Sequence, residues 1–151
     1  MIQIPRSALI LGLAGTIPFL WGGISLILPD LSLSFAQKVG SRFVGPYVQL
    51  SYGTVILAFM SGVLWGFATG TKGIGATVCY IISVIPALWA FFMVGGGPYS
   101  ATINLSIGFA VVLCCDYWFY IRGLTPPWWM HLRILLTAIV VACLMLTVYI
   151  L

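Results

Sequence analysis

Apolar residues in this chain run unbroken over stretches long enough to cross a bilayer, and the few charges, prolines and glycine clusters fall between those stretches. A helix needs about 20 apolar residues to traverse the hydrocarbon. The interruptions therefore predict five spans: Ser7 to Leu28, Leu50 to Thr69, Ala76 to Val94, Ala101 to Ile121 and Leu132 to Leu151. The first run exceeds the roughly 7 to 15 residues of a signal-peptide core, so it is expected to be a retained helix. Gly70 to Gly75 and Gly95 to Ser100 are short connections, which make the helices they join antiparallel neighbours.

The connection from Pro29 to Gln49 is longer and patterned. Leu31, Phe35, Val39 and Phe43 recur at every fourth position, against Ser34, Lys38, Ser41 and Arg42. This spacing predicts a short helix lying in the interface, with Asp30 or Ser32 as its N-cap, the alternative being an ordinary loop. The expected fold is an all-α integral membrane protein. Residues 1–151 form a single transmembrane domain of about five helices, with an interfacial helix between the first two.

Composition narrows the function classes. Of 151 residues, 62% are apolar and 5% charged, too few charges to cover a soluble domain. The basic residues Arg6, Lys38, Arg42, Lys72, Arg122 and Arg133 are scattered, so there is no basic patch for nucleic acid. In a five-span chain Arg6, Lys72, Arg122 and Arg133 fall on one side and Lys38 and Arg42 on the other. The excess predicts a cytoplasmic N-terminus and a periplasmic C-terminus in a bacterial inner membrane. Trp65, Trp118, Trp128 and Trp129 are expected to anchor the cytoplasmic interface, and Tyr47, Tyr52, Trp89, Tyr99 and Tyr149 the outer one. Cys79, Cys114, Cys115 and Cys143 lie in apolar runs without CxxC spacing, and are read as small buried hydrophobes. No metal site, cofactor motif, P-loop or HExxH is present, and His131 has no second histidine inside a span, so catalysis is not expected.

The candidate functional residues are few. Asp116 lies inside the fourth span, where an ionised group needs a partner or a wet cavity. Arg122 is six positions on, about 9 Å along the axis and rotated by roughly 600°, so it points elsewhere. Arg133, across the same interface, is the expected partner in an intramembrane ion pair that either pins two helices or belongs to a proton or ion path. Gly12, Gly15, Gly53, Ser61, Gly62 and Gly66 are expected to let helices approach closely, the last two as a GxxxG step used within the chain, the alternative being packing against a partner subunit. Pro18 and Pro86 are expected to kink their spans. The segments Ile17 to Trp21 and Ile85 to Trp89 echo each other, as a duplicated two-helix unit would.

Three features, Ala8 to Phe19 (ALILGLAGTIPF), Tyr52 to Gly66 (YGTVILAFMSGVLWG) and Arg133 followed by Thr137, resemble an uncharacterised family of small inner-membrane proteins that includes the mitochondrial transmembrane protein 69. The resemblance implies a five-helix membrane protein without an assigned activity, with the glycine-rich second helix, Asp116 and Arg133 as family features. Relatives often carry a charged or imidazole side chain just before the Trp65 position, where this chain has Leu64. The expected function is a non-catalytic accessory or assembly subunit beside a larger respiratory or photosynthetic membrane complex. The alternatives are a small transporter or channel with Pro18, Pro86, Asp116 and Tyr52 on its path, and a lipid or quinone binder.

Overall fold

The computed structural model describes residues 3–151. Among these residues seven α-helices follow one another: α1 (Arg6–Ala14), α2 (Ile17–Ile27), α3 (Pro29–Val39), α4 (Gly45–Ala68), α5 (Gly73–Met93), α6 (Pro98–Ile121) and α7 (Trp129–Ile150). Among the described residues five passages are long and apolar enough to cross a membrane: α1 with α2, then α4, α5, α6 and α7. The fold is an all-α membrane bundle.

Prolines set several helix starts. Pro18, Pro29, Pro46 and Pro98 all sit in the first turn of a helix, where the missing N–H has no intrahelical partner to lose. This is why α4 begins at Gly45 rather than Leu50, and α6 at Pro98 rather than Ala101. At the start of α4, Gly45 holds φ at 57°, a left-handed conformation that glycine adopts without strain. Its N–H donates to Ser25 Oγ at 2.7 Å, tying α4 to α2.

The first passage is broken rather than bent. Thr16 directs both its backbone N–H (3.0 Å) and its hydroxyl (2.7 Å) to the Leu13 carbonyl, closing α1 with a tight turn, and Pro18 then opens α2. Pro86 differs: it lies inside a continuous α5, and the Ala87 N–H donates to Ser61 Oγ of α4 at 2.8 Å. The two proline segments are therefore not structurally equivalent, which removes the support for a duplicated unit.

α3 has the expected exposed apolar residues Leu31, Phe35 and Val39, with Asp30 in its first turn and Lys38 in its last, each complementing the helix dipole. The capping expectation is corrected. Leu28 occupies the N-cap with no side-chain bond, because Pro29 starts the helix and places Asp30 and Ser32 inside it.

Helices α2, α4, α6 and α7 pack in a closed ring, and α5 lies outside it against α4 and α6. Phe19, Leu57, Leu64, Phe109, Phe119 and Leu144 fill the centre. Gly53 faces Leu105, whose nearest methyl lies 2.6 Å from where a Cβ would stand, so the expected close approach exists there. Gly62 and Gly66 face outward with nothing within 4 Å, so the GxxxG step is not used inside the chain. Position sets this: Leu57, Ser61, Leu64 and Ala68 form the buried face of α4, and the two glycines lie off it. The cysteine expectation also needs correction. Cys79 and Cys115 are buried but Cys114 is exposed, since adjacent helical residues point about 100° apart.

Candidate functional site: a buried ion pair beside a lateral groove

Asp116 is completely buried on α6, and Arg133, one turn into α7, is 5% exposed. Arg133 Nε donates to Asp116 Oδ2 at 2.6 Å, and Trp129 Nε1 donates to Oδ1 at 2.8 Å. One side chain on α6 thus holds the first turn of α7 at two points. Trp129, expected as an anchor at the cytoplasmic interface, makes its contacts within the bundle, with its ring edge-to-face against Phe67 of α4 (centroids 5.2 Å apart). Arg122 points away from Asp116 and lies over the Trp118 ring, 3.8 Å from its centroid. Trp65 is half exposed against Tyr80, and Trp128 lies edge-on to Trp129.

Next to the pair lies a cavity of about 670 Å³ between α1, α4 and α7. Its existence follows from the break at Thr16. α2 buries Phe19, Gly22, Gly23 and Ser25 in the bundle, whereas α1 buries nothing and has its main packing partner in α7. A wedge therefore opens between α1 and α4, with Leu11 and Phe59, both strongly exposed, at its mouth. Along α7 the groove runs from Trp128 to Val140, about 18 Å at 1.5 Å per residue. Its lining is apolar apart from Thr16, Tyr52, Arg133 and Thr137. Gly12 and Gly15 also line it. A Cβ on Gly12 would meet Leu136 at 2.9 Å, and the Tyr52 hydroxyl lies 3.7 Å from the Cβ position of Gly15. Tyr52, expected in the outer belt, instead faces the helix break. Pro18, Pro86 and Asp116 do not line the groove, so the residues expected on one path do not converge.

Sequence reasoning missed Gln49. It was assigned to the first connection, but the early start of α4 buries it completely. Its Nε2 donates to the Phe19 carbonyl at 2.8 Å and its Oε1 accepts from Thr147 at 2.7 Å, joining α2, α4 and α7. Gly22 leaves the room it needs, since a Cβ there would overlap Gln49 Cγ. The available signal was Pro46, a helix-opening residue ahead of the apolar run. Trp89, also placed in the outer belt, donates to the Asn104 carbonyl at 2.7 Å and packs over Gly108.

Residues 4–149 match a family described as "Protein of unknown function (DUF3429)". The chain is similar to Transmembrane protein 69 of Xenopus tropicalis, with 29% identity covering 91% of this chain and 51% of the relative. It is also similar to Transmembrane protein 69 of Mus musculus, with 25% identity covering 92% and 54%. The chain spans about half the length of these curated relatives. No solved structure matches it.

Proposed function

Since this chain belongs to the DUF3429 family, a multi-pass membrane family with no assigned activity, we propose its function from the groove: it is a non-catalytic protein that binds an amphiphilic molecule between α1, α4 and α7. One observation carries this reading, a long apolar cavity that opens sideways from the bundle. Its volume falls within the range of about 300 to 1,000 Å³ typical of small-molecule sites, and its few polar side chains are of the kind that fix a ligand's orientation. Entry is from the lipid, because the mouth lies between two membrane-spanning segments. The test is mass spectrometry of amphiphiles retained after mild-detergent purification of wild type and Val55→Trp, whose larger side chain fills the groove from α4. We expect a retained molecule in wild type that the variant loses; equal retention overturns the reading.

A second observation supports the accessory-subunit reading. Gly62 and Gly66 form an unoccupied small-residue step on the outer face of α4, the surface on which a partner helix packs closely. On native gels Gly62→Ile with Gly66→Ile should dissociate a co-migrating membrane subunit while leaving the fold intact. An unchanged mobility, or a wild type that migrates alone, counts against it. The channel reading has less support, because both oxygens of Asp116 are already held and Asp116 does not line the groove. We place the Arg6 and Lys72 side in the cytoplasm of a bacterial inner membrane. A Lys72→Cys variant labelled by an impermeant thiol reagent only after the membrane is opened would agree with this.

A further inference from the structure

The groove is as deep as one leaflet of the bilayer. On α4 it runs from Phe67, one residue before the helix ends at Ala68, to Tyr52, about 22 Å along the axis. A single leaflet with its headgroups is half of about 40–45 Å, or roughly 20–22 Å. The floor is aromatic: Phe19, brought back to the bundle by α2 after the helix break, meets Tyr52 and Phe109 edge-on, with ring centroids 5.6 Å from each. The other end reaches Pro126 and Trp128 in the connection ahead of α7, at the membrane surface. Between the two ends the accessible walls are hydrocarbon. Leu11, Val55 and Phe59 are strongly exposed, and Ile56, Val63 and Leu136 are half-buried. These residues lie along the whole groove rather than around one point, so they fit a long apolar chain. Because the mouth between Leu11 and Phe59 faces lipid, such a chain enters sideways while the group that carries it stays at the surface. That is the geometry of an acyl chain of a membrane lipid.

Charge selects the head. Arg6 opens α1, Lys72 follows α4 and Arg122 follows α6, and all three are exposed on the side where the groove reaches the surface. Each lies a few residues from one that lines the groove, namely Ala8, Phe67 and Pro126. The chain has only two acids, and neither balances these cations: Asp30 lies on α3 at the opposite end of the bundle, and Asp116 is held by Arg133. A phosphate head with a net negative charge is therefore favoured over a zwitterionic one, whose own ammonium offsets the attraction.

We propose that the groove holds an acyl chain of an anionic phospholipid drawn from the leaflet on the Arg6 side, with the phosphate at the surface and the chain end toward Tyr52. This rests on the amphiphile-binding reading above and names the ligand class and the leaflet that supplies it. The experiment uses the full chain in nanodiscs of equal phosphatidylglycerol and phosphatidylcholine, with native mass spectrometry of the lipid that stays bound after extraction into mild detergent. Wild type should retain phosphatidylglycerol in preference to phosphatidylcholine, and Val55→Trp should lose it. Arg6→Gln combined with Lys72→Gln alters only exposed side chains. This variant should keep the wild-type circular dichroism and still retain phospholipid, with the preference for phosphatidylglycerol reduced on the order of tenfold. Salt at about 0.5 M should reduce the preference of wild type in the same way. Equal retention of the two lipids, a preference that survives the charge variant or the salt, or a retained amphiphile that is not a phospholipid overturns this assignment and leaves the groove reading standing. If Val55→Trp retains every amphiphile that wild type retains, both fall.

Discussion

Asp116 and Arg133 show how one ionised pair is tolerated at membrane depth: each charge is the other's counter-ion, and the Trp129 indole occupies the remaining carboxylate oxygen. Removing one member leaves a buried charge without compensation, which costs about 3–5 kcal/mol in comparable pairs. Asp116→Asn should therefore lower the detergent unfolding midpoint strongly, whereas Asp116→Asn combined with Arg133→Met should recover much of the loss. A double variant no better than the single one would contradict the pairing argument. Thr137 makes the opposite prediction. Its hydroxyl is buried without a partner, so Thr137→Val should stabilise the folded protein by roughly 1 kcal/mol, as measured by thermal unfolding without ligand.

Among the elements, the two internal prolines have opposite consequences because their surroundings differ. Pro18 follows a turn closed by Thr16, so the chain restarts as α2 and α1 swings clear of α4. Pro18→Ala should favour a continuous first helix and narrow the groove, detectable as a shorter distance between spin labels placed at Leu11 and Phe59. Pro86 stays within α5 because Ser61 of α4 accepts the Ala87 N–H. Ser61→Ala leaves that amide buried and unpaired, and should destabilise the α4 and α5 pair by about 1–3 kcal/mol. An unaltered unfolding midpoint would show that the amide finds another acceptor. Ser61 was legible as a small packing residue, but its hydrogen-bonding role depends on where α5 lies.

At the scale of the whole molecule, the closed ring of α2, α4, α6 and α7 is clamped at two levels. Asp116, Trp129 and Arg133 join α6 to α7 near one end, and Gln49 joins α2, α4 and α7 near the other. Between these levels the core is mostly apolar, α5 adds Cys79 and Ala90 to it from outside the ring, and α1 buries no residue. Gln49→Leu should loosen the second clamp without opening the first. Hydrogen exchange should rise in α2 and the second half of α7, with the first turns of α7 unchanged; exchange raised uniformly over the bundle would refute the two-level description.

Span number, helical class, the helix over 29–39 and the pairing of Asp116 with Arg133 were all legible along the chain. Each depends on local periodicity or on the cost of an ionised group in hydrocarbon, and both are properties of the residues themselves. Four things were decided only by the tertiary arrangement: the inward turn of Trp129, the outward face of Gly62 and Gly66, the burial of Gln49, and the lateral groove. The physical reason is common to all but Gln49, whose burial follows from the early start of α4 at Pro46. In a chain whose helices are apolar on every side, hydropathy does not distinguish a face turned to lipid from one turned to protein, and only packing assigns it.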